Sequence, residues 1–304
     1  MQAGFSQNDI AGFIGVHKST ITREIQRNTG LRGYRPRQAH QKAKERMRAA
    51  AKHIRFTPYV KNKVESLLGL DFSPDQISNY LYLHHHIRIS HERIYQHIWA
   101  DKQLGGGLYK HLRTGRRKKR KRYGNRDNRG RIPDRRGIEE RADIVDKKTR
   151  IGDWEIDTSI GKNHKGAIIT AVERKTLYTC ISHVPSRKAE IVANAIIRMF
   201  KPFKEKVLTI TADNGKEFSG HKQISDALNT DFYFADPYSA WQRGLNEHTN
   251  GLLRQYFPKK MKLENVSQLV TNSVETKLNI RPRKTLEYNS PMKSFLNLTV
   301  ALGT

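Results

Sequence analysis

The first third of the chain has apolar positions at helical spacing, grouped into two similar helix pairs. The pattern predicts a short helix over residues 6–13 and a second helix over residues 18–27. Ala11, Gly15 and Ile21 lie where two helices that cross steeply over a tight turn need a small, a conformationally free and an aliphatic residue. The first pair is therefore predicted to be a helix-turn-helix.

Polar residues near the start of the second predicted helix face outward and can reach bases and phosphates. The candidates for DNA contact are Lys18, Ser19, Thr20, Thr22 and Arg23. The alternative is an ordinary helical hairpin with a solvated polar face.

The second pair, over residues 73–99, begins with an N-cap, a proline at the first helical position and a glutamine three residues after the cap. Apolar residues recur along both of its helices, so a second helix-turn-helix is predicted. Its DNA-facing candidates are Arg88, His91, Arg93 and Gln96. Three consecutive histidines, 84–86, are not expected to bind a metal, because adjacent helical side chains point in different directions.

A strongly basic, turn-rich run over residues 113–129 separates the helical pairs from the rest of the chain. Such a self-repelling sequence is typical of a linker. Arg116 and Arg117 belong to it, and the run is either a solvated tether or a tether that also follows DNA phosphates.

Beyond the linker, short β-rich segments alternate with helical ones in the order βββαβαβα, which matches a ribonuclease-H-like layer. The strands are expected over 151–157, 166–172, 177–184, 207–212 and around 232–234, with helices over 187–200 and around residue 247. The chain is therefore predicted to be multidomain: helix-turn-helix DNA-binding domains over 1–52 and 53–112, a basic linker over 113–145, and an α/β ribonuclease-H-like catalytic domain over 146–304.

The charge of the chain predicts a polyanionic binding partner. The 304 residues carry 57 Lys and Arg against 29 Asp and Glu, a net charge of +28; residues 1–150 hold 35 basic and 14 acidic side chains, whereas residues 151–250 hold 13 and 12. An excess of basic residues in a region predicted to be folded favours nucleic acid over a membrane as the binding partner.

No transmembrane run or secretory signal is recognisable, and the single Cys180 fits a reducing compartment, so a cytoplasmic protein is expected.

Three carboxylates lie where the predicted topology can bring them together. Asp157 lies in the first strand, Asp213 ends the fourth strand at an Asp-Asn-Gly turn, and Glu247 lies on a later helix. Hard oxygen ligands suit Mg²⁺, and two divalent cations bridged by carboxylates can cleave a phosphodiester. Because Asp153 and Glu155 alternate with Asp157 on one strand face, periodicity alone does not choose among the three.

Five segments of the second half resemble DDE transposases of the insertion-sequence-30 family: GDWEID (152–157), TADNGKEF (211–218), PYSAWQRGLNE (237–247), NGLLRQYF (250–257) and NIRPRK (279–284). STITRE (19–24) and GYRP (33–36) are similar to that family's DNA-binding region, so the resemblance covers nearly the whole chain. It implies a retroviral-integrase-like core, with Asp157, Asp213 and Glu247 as the metal-binding catalytic triad. The 33 residues between Asp213 and Glu247 match the family's spacing.

The resemblance implies a bacterial transposase that binds the terminal inverted repeats of its element, hydrolyses a 3′ phosphodiester bond and joins the freed 3′ end to target DNA. Two Mg²⁺ ions per site are expected, with Mn²⁺ as a substitute, and double-stranded DNA and a homodimer or larger assembly are the expected partners. A circular intermediate is implied by the family alone. The competing interpretations are a retroviral-type integrase, whose zinc-binding His/Cys front domain is missing, and a transcription regulator derived from a transposase.

Three further side chains receive expectations. Arg254 lies two helical turns beyond Glu247, on the same face, and is expected either to meet a DNA phosphate or to be a solvated surface residue. Trp154 and Trp241 are expected to pack rather than to stack on bases.

Overall fold

The computed structural model describes residues 4–49, 56–113, 132–237, 239–259 and 261–301, without the side chains of 164, 240 and 297–301. The chain divides into two compact units, Met1–Arg55 and Phe56–Thr304. Arg116 and Arg117 lie outside the described residues. No helix of the described part is both long and apolar enough to cross a membrane.

The first unit contains three helices around a small core. A capping box between Ser6 and Asp9 begins the first helix, and Gly15, at φ 70°, ends it in the left-handed conformation that glycine adopts without strain. His17 caps the second helix by accepting from the backbone N–H of Ser19. The helices are α1 (Gln7–Ile14), α2 (Lys18–Asn28) and α3 (Pro36–Ala49).

Three helices, each with a side-chain N-cap, form a bundle at the start of the second unit: α4 (Pro58–Gly69), α5 (Pro74–His85) and α6 (His91–Gln103). Thr57, Ser73 and Ser90 cap them through hydrogen bonds to backbone N–H groups in the first turn. The bundle buries a continuous apolar cluster, in which Leu68 and Ile98 are completely enclosed.

A five-stranded mixed sheet forms the centre of the second unit, in the order β3-β2-β1-β4-β5. The first three strands make an antiparallel meander, and β4 and β5 continue the sheet parallel to β1. This is the predicted ribonuclease-H-like topology. The strands are β1 (Asp153–Ile160), β2 (Ala167–Glu173), β3 (Thr179–Val184), β4 (Thr209–Ala212) and β5 (Asp231–Phe234).

Helices cover both faces of the sheet, so β2 is buried on both sides and is apolar almost throughout. Alternate residues of β2 serve different cores: Ile169 packs in the larger cluster with α8 (Ala189–Phe200) and α9 (His221–Leu228), and Ile168 packs in a second cluster. That second cluster contains residues of α10 (Gly244–Leu253) and α11 (Gln268–Ile280). The short α7 (Ile144–Lys147) and the terminal α12 (Pro291–Ala301) complete the unit.

Candidate active site

The three acids of β1 have different environments. Asp153 is fully buried and accepts from Arg150 at 2.9 Å, and Glu155 is 1% exposed and pairs with Arg174 at 2.9 Å. Asp157, farther along the strand, keeps 24% of its side chain exposed. Two of the three alternating carboxylates are therefore committed to internal ion pairs, and Asp157 is the one that solvent reaches.

Asp157 of β1 and Asp213, which directly follows β4, lie close together where β4 ends; we call this place the carboxylate edge. The parallel register pairs Asp153 with Thr209 and Glu155 with Thr211, and two more residues along each strand lead to the two aspartates. One guanidinium joins them: Arg243 Nη1 lies 3.6 Å from Asp157 Oδ1, and Arg243 Nη2 lies 3.7 Å from Asp213 Oδ2. The sequence predicts that Asp157, Asp213 and Glu247 converge; the structure places the two aspartates beside the same guanidinium.

The pKa of Asp157 is affected by burial and by the neighbouring Asp213. Burial, together with the negative charge of Asp213, raises the pKa of Asp157 to about 6, although Arg243 acts in the opposite direction. The carboxylate is also oriented by two donors, since Asn250 Nδ2 donates to Oδ2 at 2.6 Å and the Thr158 N–H donates to Oδ1 at 2.9 Å. Two neighbouring desolvated carboxylates make this edge a place where positive charge is favoured.

Helix α10 brings two asparagines to this edge. Asn246 and Asn250, one turn apart, face the sheet: the Asn246 N–H donates to Glu155 at 3.1 Å, and Asn250 contacts Asp157 and Thr170. Glu247 lies in the first turn of α10 and is exposed. Within the described residues, no three His, Cys, Asp or Glu side chains are grouped closely enough to hold a metal ion.

A further carboxylate approaches Asp213 across Gly215. A Cβ atom at Gly215 would lie 2.8 Å from both Asp213 Oδ1 and Glu217 Cδ, so the turn requires a glycine for close approach. Glu217 is held by Thr158 Oγ1 at 2.6 Å and by Arg187 at 3.5 Å. Glu217 was not among the residues predicted from the sequence.

The other predicted residues of this domain have separate outcomes. Trp154 is buried, packs on Phe200 with ring centroids 4.8 Å apart and donates its N–H to Lys206 O, as expected for a packing residue. The packing prediction for Trp241 is wrong: the residue is 77% exposed, because it lies in a 3₁₀ turn ahead of α10. Arg254 caps the C-terminus of α10, is half-buried and donates to Phe257 O at 3.3 Å.

The residues predicted to contact DNA lie on the two early helix pairs. Lys18, Thr20 and Arg23 are exposed on α2, whereas Ser19 is half-buried and Thr22 donates to Gln7 of α1 at 2.8 Å. In the second pair all four predicted residues, Arg88, His91, Arg93 and Gln96, are exposed. The guanidinium groups of Arg88 and Arg93 lie over the rings of Tyr82 and Phe56, at 5.2 Å and 4.8 Å from the centroids.

Sequence reasoning assigned no role to Arg243 or Asn250, although both lie inside motifs quoted for the family resemblance. Their roles depend on contacts with Asp157, which is 86 and 93 positions earlier in the chain. The only local signal was the concentration of polar residues that face the sheet on an otherwise amphipathic helix.

Comparison with known proteins gives the same family. No protein-family model matches the chain. It is 43% identical over 297 residues to the transposase for insertion sequence element IS4351 of Bacteroides fragilis, covering 97% of this chain and 91% of that protein. It is 34% identical to the transposase InsI for IS30A of Escherichia coli (99% and 81%) and 33% identical to the transposase for IS1086 of Cupriavidus metallidurans (92% and 86%).

Among solved structures, the catalytic core domain of BIV integrase is 18% identical to this chain, with a TM-score of 0.40 over 51% of this chain and all of that chain. The identities to the curated relatives extend over nearly the full length on both sides. The chain belongs to the insertion-sequence-30 family of transposases.

Proposed function

We propose that this transposase binds the terminal inverted repeats of its own element, hydrolyses a 3′ phosphodiester bond and joins the freed 3′ end to target DNA by transesterification. The observation that carries the proposal is the pair of carboxylates, Asp157 and Asp213, joined by Arg243 at the edge of the sheet. Neither aspartate is used in the apolar cores, and both are partly open to solvent.

The donor set fits a divalent cation. Carboxylate oxygens are the ligands that Mg²⁺ and Mn²⁺ prefer, and because burial and the charge of Asp213 raise the pKa of Asp157, a bound cation would favour the ionised form of Asp157. Asp157, Asp213 and Glu247 would hold two Mg²⁺ ions, with Mn²⁺ as a substitute. Bound there, the cations would activate the attacking oxygen and stabilise the leaving oxygen at a phosphodiester.

The residues of the chain supply orientation and charge. Asn250 and the Thr158 N–H fix the rotamer of Asp157, so its free lone pairs face a constant direction. Arg243 neutralises both aspartates when no other cation is present. Glu247 extends from the first turn of α10, where it would complete the ligand set, and Arg254 at the other end of that helix would bind a phosphate of the element end.

DNA recognition is assigned to the two helix pairs. Their exposed cations on α2 and α6 are available to the phosphate backbone and to base edges. The four-part division at residues 52, 112 and 145 is part of this proposal, as is the action of Arg116 and Arg117 on phosphates. Since two element ends must be joined, the active form is a homodimer or larger assembly on double-stranded DNA in the bacterial cytoplasm.

The test is cleavage of DNA that carries the element's ends, with Mg²⁺, by the wild type and by Asp157→Asn, Asp213→Asn and Glu247→Gln. Each amide keeps the side-chain shape and loses the charge that holds the cations, so each is expected to bind the ends like the wild type and to lose cleavage by more than about 100-fold. Glu217→Gln is the matched control and is expected to cleave. Loss of cleavage in Glu217→Gln but not in Glu247→Gln would mean that Glu217, and not Glu247, is the third metal ligand. If the wild type binds the ends without cleaving them, the protein is instead a transcription regulator derived from a transposase.

A further inference from the structure

A cleft of about 900 Å³ lies between the α4–α6 bundle and the catalytic domain; the α10 residues that line it do not include Asn246 and Asn250, which face the sheet. Residues of α6, α10 and the 281–286 segment line it together with Arg113; among them are Trp99, His248, Leu252, Arg281 and Arg283. We call it the basic cleft. It is built from one compact unit, because all of its lining residues lie within Phe56–Thr304.

The walls of the basic cleft are held by contacts between distant parts of the chain. Asp71, which follows α4, accepts from Lys277 at 2.8 Å and from Tyr256 at 3.0 Å. Gln76 donates to Pro282 O at 2.8 Å. The cleft is therefore a formed feature of the unit and not a gap between loosely joined parts.

Charge in the basic cleft is strongly unbalanced. Seven lysines and arginines line it, against the two carboxylates Asp71 and Asp75; one of the seven, Arg174, is paired with Glu155 and Asp146 outside the lining. Asp71 is already shared with Lys277 and Arg281, and Asp75 accepts from Tyr288. Within the described residues, no carboxylate lies at ion-pair distance from Arg283, whose Nη2 donates to Leu278 O at 2.9 Å.

The guanidinium groups in the cleft repel one another in a partly desolvated place. Burial, and then the charges of Arg281 and Arg113, lower the pKa of Arg283 to about 10. The Nε atoms of both Arg281 and Arg283 are buried without a hydrogen-bond acceptor in the described structure. A cluster of cations whose N–H donors lack acceptors favours the binding of an anion.

Apolar and aromatic surface accompanies the cations. Leu245 and Leu252 of α10 line the cleft together with Tyr95 and Trp99 of α6. Trp99 is 42% exposed, with Lys102 Nζ 5.1 Å from its ring centroid. A basic groove with aromatic side chains is the arrangement that binds unpaired nucleic-acid strands, in which bases stack and phosphates meet cations. The volume is that of a pocket for a small ligand, which suits one or two nucleotides and excludes a duplex.

We propose that the basic cleft binds an unpaired nucleotide of a DNA strand, with its phosphate against Arg283 and Lys284 and its base against Trp99. The inference deepens the proposed function and rests on it, since it assumes that the chain acts on DNA. It adds a single-strand site, separated from the carboxylates by α10, to a protein whose helix pairs are assigned to duplex DNA.

The test compares two DNA probes of arbitrary sequence with the full-length protein: a blunt duplex, and the same duplex ending in a few unpaired nucleotides that include a fluorescent purine analogue. The wild type is expected to bind the tailed duplex more tightly and to quench its fluorescence. Arg283→Gln and Trp99→Ala should each weaken tailed-duplex binding by about tenfold while blunt-duplex binding stays unchanged.

Arg198→Gln is the matched control, since Arg198 is an exposed arginine on α8 that also donates to a backbone carbonyl. It should bind both probes like the wild type, and Arg283→Lys should recover part of the loss. Equal weakening of both probes in Arg283→Gln, or no weakening of either, would overturn the cleft assignment while leaving the proposed function intact. Equal binding of the two probes by the wild type would likewise overturn the cleft assignment, whereas the proposed function is tested separately on DNA that carries the element's ends.

Discussion

The carboxylate edge and the basic cleft lie on opposite sides of α10 and have opposite charge balances. At the edge, Asp157 and Asp213 share the cation Arg243. In the cleft, Arg281 shares the carboxylate Asp71 with Lys277, and Arg283 has no carboxylate partner among the described residues. The edge brings two carboxylates together, and the cleft is lined by more cations than carboxylates.

Excess charge in a partly buried place costs free energy unless a ligand of opposite sign binds there. The edge is therefore suited to cations, and the cleft to a polyanion. One helix can serve both, because Asn246 and Asn250 face the sheet while Leu245, His248 and Leu252 line the cleft. The variants below break one side of this comparison at a time.

The largest effect is expected at Asp71, which holds one wall of the cleft. Burial alone would raise the pKa of Asp71, but hydrogen bonds from Lys277, His111 and Tyr256 lower it below its ordinary value. Asp71→Asn leaves buried cations without their partner and is expected to reduce the free energy of unfolding by about 3 to 5 kcal/mol at neutral pH, measured by urea denaturation.

The pH dependence follows from the lowered pKa of Asp71. A carboxyl whose pKa is depressed in the folded state stabilises the protein above its unfolded pKa, about 4, and that contribution is lost as pH falls through the folded pKa. The difference between wild type and Asp71→Asn should therefore narrow below about pH 4. Asp75→Asn, at an exposed position beside the same cleft, should change stability by less than about 0.5 kcal/mol. A constant difference across the acid range would contradict the role of this ionised carboxylate.

The next effect is expected at Arg243, the cation of the carboxylate edge. Arg243→Gln leaves Asp157 and Asp213 facing each other, so the metal-free protein should lose about 2 kcal/mol of stability. The rise in melting temperature on adding Mn²⁺ should be larger than in the wild type, because the cation no longer competes with a guanidinium. Arg187→Gln, beside Glu217, is the control; a smaller Mn²⁺ shift in Arg243→Gln would show that Arg243 supports the metal site.

A smaller effect is expected at Asn250, which orients Asp157 at 2.6 Å. Groups that orient a metal ligand without binding the metal are typically worth about 10- to 100-fold in affinity or activity, and Asn250→Ala should lie near the lower end because the Thr158 N–H remains. The Mn²⁺ affinity of Asn250→Ala is measured by calorimetric titration. Unchanged affinity would mean that Thr158 alone sets the rotamer.

The smallest effect is expected at Arg254, where a phosphate of the element end is proposed to bind. Arg254→Ala should lower cleavage severalfold, and Arg254→Lys should recover part of the loss, since positioning a phosphate requires positive charge. The Mn²⁺-induced rise in melting temperature should not change. A reduced Mn²⁺ shift would mean that Arg254 acts by capping α10.

Local pattern was sufficient for the meander, for Asp157 within β1 and Asp213 directly after β4, and for the capped helices, because alternation and capping residues act over a few positions. It was insufficient for α11 and α12, whose boundaries depend on packing against β3 and Trp154. The wall contact between Asp71 and Lys277 spans 206 positions, and no periodicity in the sequence reports it. The exposure of Trp241 was missed for the same reason, since tertiary position and not residue type decides it.

One paired titration tests whether α10 separates a cation site from an anion site. Wild type, Asp213→Asn and Arg283→Gln are titrated with Mn²⁺, followed by melting temperature, and with the tailed duplex, followed by fluorescence. Asp213→Asn should lose the Mn²⁺ shift and keep its affinity for the tailed duplex, whereas Arg283→Gln should keep the shift and lose the affinity. A full Mn²⁺ shift in Asp213→Asn, or loss of both responses in either variant, would contradict the account.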